Sequence, residues 1–427
     1  MEQPTTQNQH IQMNQVAVAS TSQHSATVLS PIAGSVSDQD SIIDGASSTI
    51  IIRDTDDLMT LRDILNMLQP DEHANGVNLI NVGDRSEALY VGFRAALRRQ
   101  WCARNRLNVL FEAEFAIDGG GPTREFLTLF VKQLSNSCLF TGNEEKKFLA
   151  LSASAVEKQY YLAAERILSY SITHRGPLPT FLDPFTYAMI ANETRGNEIP
   201  LEACGDEKDT LEQIAGCEDE ESFNEMVAKH ECVISVSGCM TLAIYNNKER
   251  LIKGLCKFLA VQRLSVPLAQ LKSGLEDNGV LFYITAYPHL FKDAFCKLEG
   301  RKYTAEDVYA LFDMEQTYWS EPESNRLRLE NRAYGYFKEY ILDIEGEFIT
   351  DFIRFITGLE EIPVLGFSPK LTLQFRHPGD IGDCTKDFPI ANTCGNVLSV
   401  PVHNSYELFK CYMDAAIKNA SQTFTEA

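Results

Sequence analysis

The sequence has no surplus of positive charge, no apolar run long enough to span a bilayer, and no closely paired cysteines. Each lack closes off a class of function. Its 427 residues carry 38 Lys and Arg against 59 Asp and Glu, a net charge of −21. Such a field repels phosphate backbones and anionic lipid, so nucleic-acid and membrane-surface roles are disfavoured and basic protein partners favoured. No stretch reaches the ~18 apolar residues that a transmembrane helix requires. The opening MEQPTTQNQHIQMNQ has neither a basic start nor an apolar core, so it does not read as a secretory signal. The 11 cysteines are odd in number and spread widely, without a C-x-x-C pair. That argues against a disulfide framework and a structural zinc site, and it suits a reducing cytoplasmic or nuclear compartment. The 8 histidines read as surface or satisfied core residues, and no metal is expected.

What is present is enough apolar material, 44% of residues with 10% aromatic, for large cores, and a length that suggests two or three folded units. Residues 1–48 are rich in Gln, Ser, Thr and Asn and read as a disordered tail, because they cannot bury enough apolar surface to offset ordering entropy. Residues 49–75 read as a linker with a short helix. From residue 76 the patterns sharpen. SEALYVGFRAALRRQW places Leu89, Phe93 and Leu97 on one helical face. LNVLFEAEFAI alternates Leu107, Val109, Phe111, Ala113, Phe115 and Ile117, the pattern of a half-buried strand. DGGGP follows, and then TREFLTLFVKQL puts Phe126, Phe130 and Leu134 back on a helical period. The unit is strand, glycine turn, helix.

Gly119–Gly121 invite comparison with a phosphate loop, but the Gly-Lys-Ser/Thr ending is missing. Glu125 is expected in the first helical turn, at the positive pole a phosphate would need, with Pro122 at the helix start. A structural turn is the better reading, and no cofactor is expected. Residues 156–192 and 247–300 are helical in spacing, with breaks at Gly176-Pro177, Pro184, Pro267 and Pro288, whereas 196–225 is acidic and weakly patterned. The charge-dense EPESNRLRLENR, 321–332, is the expected hinge, dividing a unit at 76–320 from one at 333–427.

The last unit reads as helix, strand, turn, strand, helix. EFITDFIRFITG is amphipathic through Ile349, Phe352, Ile353 and Ile356 and stops at Gly358. KLTLQFRH turns Leu371, Leu373 and Phe375 inward, and NVLSVPV is a second extended segment. SYELFKCYMDAAIKNA closes the unit, with Ser405 as N-cap and Glu407 in the first turn. Cys256 and Cys411 fall in helical apolar context and read as core cysteines. Cys394, in PIANTCGNVLSVP, differs: its neighbours are Asn392, Thr393, Gly395 and Asn396. A thiol in a polar turn at a strand edge is placed to ionise and react. Thr393 and Asn396 are candidates to bond the sulfur or a nearby carbonyl. A cysteine-protease reading would need a histidine beside it, and His377 and His403 are the nearest in sequence, without a family signature around the cysteine.

Taken together these stretches resemble the HECT family of ubiquitin ligases, and within it the G2/M-phase-specific ligase-like group. FIRFITGLEEIPVLGF resembles the family's Phe-(Val/Ile)-Thr-Gly…Pro…Gly-Phe run. FPIANTCGNVLSVP resembles Pro-x-Ala-x-Thr-Cys-x-Asn-x-Leu-x-Leu-Pro. Phe424 stands fourth from the end, as in HECT ligases, and FAIDGGGPTREFLTLF resembles the Gly-Gly-x-x-Arg-Glu signature. The resemblance spans residues 76–427 and implies an α+β, bilobal architecture. A mainly helical N-lobe would bind the ubiquitin-loaded conjugating enzyme, and a small α+β C-lobe would carry the cysteine beyond a hinge.

The implied reaction is acyl transfer through a thioester on Cys394, with ubiquitin and a conjugating enzyme as partners and a protein substrate that the sequence does not name. Thr393 and Asn396 would support the turn, and Phe424 would help to dock the tail. Asp387 and Glu426 are candidates to receive the lysine proton. Gly119, Gly120, Arg124 and Glu125 read as structural. The chain departs from the family at Gly395, usually Phe and expected to loosen the turn, and at Asn392, often His. The strand-rich docking subdomain is shortened around 196–246. These departures keep open an alternative from another class, a HECT-like scaffold that binds ubiquitin or a conjugating enzyme without catalysis.

Overall fold

A computed structural model of the chain describes residues 59–69, 76–112, 120–144, 146–193, 198–297, 303–315, 317, 319–321, 325–359, 362–377, 388–393 and 395–425, with side chains to residue 420. The expected tail, 1–48, lies outside them. The first described element is the short helix expected in the 49–75 linker, α1 (Leu61–Leu68), closed by a reciprocal capping box between Thr60 and Asp63.

Strand β1 (Val77–Val82), helix α2 (Ala88–Ala96), strand β2 (Arg106–Phe111) and helix α3 (Gly121–Ser135) follow. The two strands pair in parallel, and Ile80, Val82, Leu107, Val109 and Phe111 turn inward. The helices expected from Leu89, Phe93, Phe126, Phe130 and Leu134 bury those residues. Gly92 lets α2 and α3 close on each other, since a Cβ there would stand 2.5 Å from the Phe130 ring. Gly120, at φ 109°, supplies the left-handed step before α3 that only glycine takes without strain. The second half of the expected strand, 113–117, lies outside the described residues.

The first core continues through the small antiparallel pair β3 (Phe140–Gly142) and β4 (Lys147–Leu149) and a run of helices. These are α4 (Ala153–Glu157), α5 (Tyr160–Thr173), α6 (Pro184–Ala191), α7 (Lys208–Ala215), α8 (Glu220–Lys229), α9 (Glu231–Val236), α10 (Lys248–Ala260), α11 (Ser265–Glu276), α12 (Val280–Ala286) and α13 (Pro288–Phe295). Pro184, Pro267 and Pro288, expected as breaks, lie in the first turns of α6, α11 and α13, where a missing N–H costs nothing. The weakly patterned 196–225 is largely helical where it is described, from Leu201 on, and no strand occurs among the described residues of 198–247. At the closest approach of α5 and α11, a Cβ on Gly274 would stand 2.6 Å from the Leu162 carbonyl oxygen and 2.7 Å from Glu165 Cβ.

A second, separate core forms from α14 (Ala305–Ala310), α15 (Asn325–Asp343), α16 (Glu347–Thr357), strands β5 (Thr372–Arg376), β6 (Ile390–Asn392) and β7 (Val397–Pro401), and α17 (Tyr406–Thr425). The sheet order is β5-β7-β6, with β5 and β7 parallel and β6 antiparallel to β7. The architecture is mixed α+β. Helix α16 matches expectation: Ile349, Phe352, Ile353 and Ile356 are buried, and Gly358 ends it at φ 77°. Cys256 is buried as expected, but Cys411 is exposed. The buried face of α17 runs through Phe409, Met413 and Ile417, and Cys411 points away from it.

The stretch 321–332, expected as the hinge, is helical over most of its described residues. From Asn325 it is the start of α15, and Glu330 is buried within it. There Glu330 receives bonds from the Ser320 amide (2.8 Å) and hydroxyl and lies 2.7 Å from His377 Nε2. Arg326 and Arg328 lie on the outer face of that helix, whereas Glu330 faces inward. The change from the first core to the second falls earlier, between Cys296 and Tyr303.

The described residues belong to one compact unit, and the two cores touch. Leu365, on the Pro363–Phe367 loop after α16, packs into the first core although its chain neighbours Leu359 and Phe367 belong to the second. Arg62 Nη2 donates to the Val364 carbonyl (3.4 Å), and Arg175 Nη1 donates to the carbonyls of Leu365 and Gly366.

Candidate functional site

The segment that holds Cys394 is a β-hairpin. Strands β6 and β7 pair antiparallel from Ile390↔Ser399 to Asn392↔Val397, which leaves Thr393 to Asn396 as a four-residue loop. The three-residue β6 is too short to show alternation in sequence. Cys394 itself lies outside the described residues, as do Asp387 and Glu426. Phe424 falls within α17, and its side chain is likewise outside.

The residues on either side of the cysteine fix the loop. Asn392 Oδ1 accepts from the Gly395 amide at 3.0 Å, a side-chain-closed turn of the kind asparagine favours. Asn396 is wholly buried with φ 54°, a left-handed backbone that asparagine tolerates better than most residues. Its carbonyl accepts from the Thr372 amide at the start of β5 (2.9 Å), and its Nδ2 donates to the Pro369 carbonyl (2.6 Å). Its Oδ1 accepts from Arg124 Nη2 (3.1 Å), so one side chain ties the loop to the second core and also to helix α3 of the first. Gly395 does not leave the loop slack, because the shape is held by its two asparagine neighbours. Thr393 is half-buried at the other end.

In the Gly-Gly-x-x-Arg-Glu segment, expected to be structural, Arg124 and Glu125 take different partners. Glu125 sits just past the first turn of α3, not within it. It accepts from Arg85 Nε at 2.6 Å, with the Arg85 guanidinium 4.6 Å from the Phe111 ring centroid. Arg124, one residue earlier, crosses to the hairpin loop. No local signal carries that contact, which joins residues 272 apart in sequence.

The two histidines of the protease reading are engaged elsewhere. His377 is buried against Glu330, and His403 is buried and stacked on Tyr412, with ring centroids 5.1 Å apart and planes 3° from parallel. Burial works against the Glu330 charge, yet the Ser320 bonds and His377 outweigh it and hold the carboxyl below its usual range.

A four-residue threonine–cysteine–glycine–asparagine hairpin loop on a small sheet, met by an arginine from the helix after a glycine turn, can be set beside known proteins. The model of the HECT-domain (ubiquitin-transferase) family matches residues 125–427. The chain belongs to the HECT-domain family. The match begins one residue after Arg124, so residues 76–124 of the expected resemblance lie outside it. Among curated proteins, the chain is similar to the human G2/M phase-specific E3 ubiquitin-protein ligase, 28% identical over 319 residues, 73% of this chain and 42% of that protein. The Macaca fascicularis protein of the same name is 28% identical over 320 residues, again 73% and 42%. The Gallus gallus one is 26% identical over 306 residues, 70% of this chain and 39% of the relative. The chain thus spans about two fifths of the length of these relatives. No described helix is long and apolar enough to cross a membrane.

Proposed function

We propose that this HECT-domain chain is a ubiquitin-protein ligase that carries ubiquitin covalently on Cys394. The observation that bears most weight is the hairpin loop around the cysteine, shaped by Asn392 and Asn396, inside a region that the family match covers throughout. The first core is the N-lobe, which would receive the loaded conjugating enzyme, and the second is the C-lobe. The connection between them falls at 297–302. The compartment proposed is cytoplasmic or nuclear.

The chemistry runs in two steps. The Cys394 thiolate attacks the carbonyl carbon of the thioester linking ubiquitin to the conjugating enzyme; a new C–S bond forms, and the enzyme's thiolate leaves with the electron pair of the old one. A substrate lysine amine then attacks the new thioester, forming an amide and releasing the Cys394 thiolate, while a base takes the proton from the amine. Asp387 and Glu426 are the proposed candidates for that base. The first step exchanges like for like and needs little beyond an ionised thiol and good placement. Placement alone is worth up to ~7–11 kcal/mol in well-oriented systems.

The scaffold reading has one feature in its favour, the absence of strands among the described residues of 198–247, where a conjugating enzyme would dock. A single-turnover assay separates the two. Labelled ubiquitin is preloaded on a panel of conjugating enzymes, mixed with wild type or Cys394→Ala, and resolved on a non-reducing gel. A thiol-sensitive adduct in wild type alone is the expected result. Binding of ubiquitin or a conjugating enzyme with no adduct from any member of the panel would replace the ligase reading by the scaffold.

A further inference from the structure

Arg124 stands on the N-lobe, outside the region the family match covers, yet its guanidinium bonds a C-lobe side chain two residues from Cys394. Its acceptor is not an incidental surface group. Asn396 is wholly buried, left-handed, and bonded through its other side-chain atom to Pro369 and through its carbonyl to Thr372. A force on Asn396 Oδ1 is therefore transmitted to the loop as a whole, not absorbed by a free rotamer. The donor is equally constrained: Arg124 lies in the first turns of α3, whose start is fixed by the left-handed Gly120 and whose body is anchored by the buried Phe126 and Phe130. Two constrained pieces, one from each lobe, meet through the Arg124–Asn396 hydrogen bond.

We infer that Arg124 is a positioning residue for the transfer, setting the orientation of the Cys394 loop against the N-lobe by gripping Asn396. This rests on the reading of Cys394 as the ubiquitin carrier. The two steps should not depend on it equally. Thioester exchange between thiolates tolerates a loosely held loop. Attack by an amine, which must be placed and also lose a proton, depends on a fixed carbonyl geometry, and misplacement of about 1 Å can cost such a step roughly a hundredfold.

The test is a pair of single-turnover rates on the full chain. Loading is read as appearance of the thiol-sensitive adduct, and discharge is read as its loss to added free lysine. In Arg124→Ala, discharge falls by roughly tenfold or more while loading changes less than about threefold. Arg124→Lys, which retains a cationic donor, recovers part of the discharge rate. Asn396→Gly keeps the left-handed backbone and removes the acceptor together with the bond to Pro369, so adding Arg124→Ala to it changes discharge little further. Additive effects in that cycle, or equal losses in loading and discharge, overturn the inference, since a structural role moves both steps together. Small-angle scattering provides a readout without chemistry: Arg124→Ala broadens the distribution of interlobe separations relative to wild type. An unchanged distribution with unchanged discharge defeats this inference alone, whereas a wild type that never forms the adduct defeats the ligase reading beneath it.

Discussion

Glu165 offers the sharpest quantitative test of the physical reading of the N-lobe. It lies on α5 where Gly274 lets α11 approach most closely; it is fully buried, and neither carboxyl oxygen has a hydrogen-bond partner among the described residues. Burial pushes its pKa up to about 8 from 4.5. The folded protein therefore keeps a proton that the unfolded chain releases above about pH 4.5, and stability falls as pH rises through that window, then levels off above about 8. Each unit within the window costs about 1.4 kcal/mol, so from pH 5 to pH 8 the wild type should lose about 4 kcal/mol relative to Glu165→Gln, which has nearly the same shape and no titration. The comparison of slopes cancels the other titrating groups. Tryptophan emission can follow it, because the chain has two tryptophans and Trp101 sits 6.2 Å from the Tyr170 ring on α5. In a Trp319→Phe background, urea unfolding of Trp101 at pH 5, 6, 7 and 8 gives the two stability curves. Parallel curves would refute the argument, meaning that water or a rearranged partner satisfies the carboxylate.

Two further outcomes follow from the glycines. Gly274→Ala should destabilise the N-lobe by about 1–3 kcal/mol or more, because the added methyl meets the Leu162 carbonyl and the Arg166 amide, backbone that cannot swing aside. The Trp101 urea midpoint measures it, and a wild-type midpoint would show that the helices can part cheaply. Gly395→Ala should change stability by no more than about 0.5 kcal/mol and leave loading intact, since its Cβ would meet nothing closer than 3.5 Å and its φ is not left-handed. Thermal unfolding and the adduct assay check both, and a large loss in either would mean that glycine itself is required there.

How much of this was legible in the sequence depends on the range of the interaction. Local periodicity carried far: α16 with its glycine stop, the inward side of β5, and the buried faces of α2 and α3 all follow from side chains within a few residues of one another. The stretch 321–332 reads as linker because its charge density hides the helical pattern. In α15, Ala333, Phe337, Tyr340 and Ile341 supply the buried face only after the charged stretch has begun, so the first turns look unpatterned when read alone. The acidic 196–225 region hid its helices in the same way. Residues of the site were recognisable as a motif, but the partner of Asn396 was not. An arginine donating to an amide oxygen 272 positions away leaves no spacing to read.

The same contacts bear on how a two-step carrier would work. Polar bridges between the lobes run from three N-lobe arginines, Arg62, Arg124 and Arg175, to neutral amide oxygens on C-lobe loops. A hydrogen bond from a charged donor contributes about 1.5–3 kcal/mol at best and less where water competes, and burying Leu365 adds about 1.5–3 kcal/mol. Together these hold the lobes in register, yet each bridge ends on a neutral oxygen whose hydrogen bond water can replace once the lobes part. Neither core depends on the other for most of its buried side chains, so separating the lobes requires far less free energy than unfolding either one. A C-lobe that must meet first a conjugating enzyme and then a lysine needs an interface of this strength, firm enough to orient the loop and weak enough to be remade within one turnover.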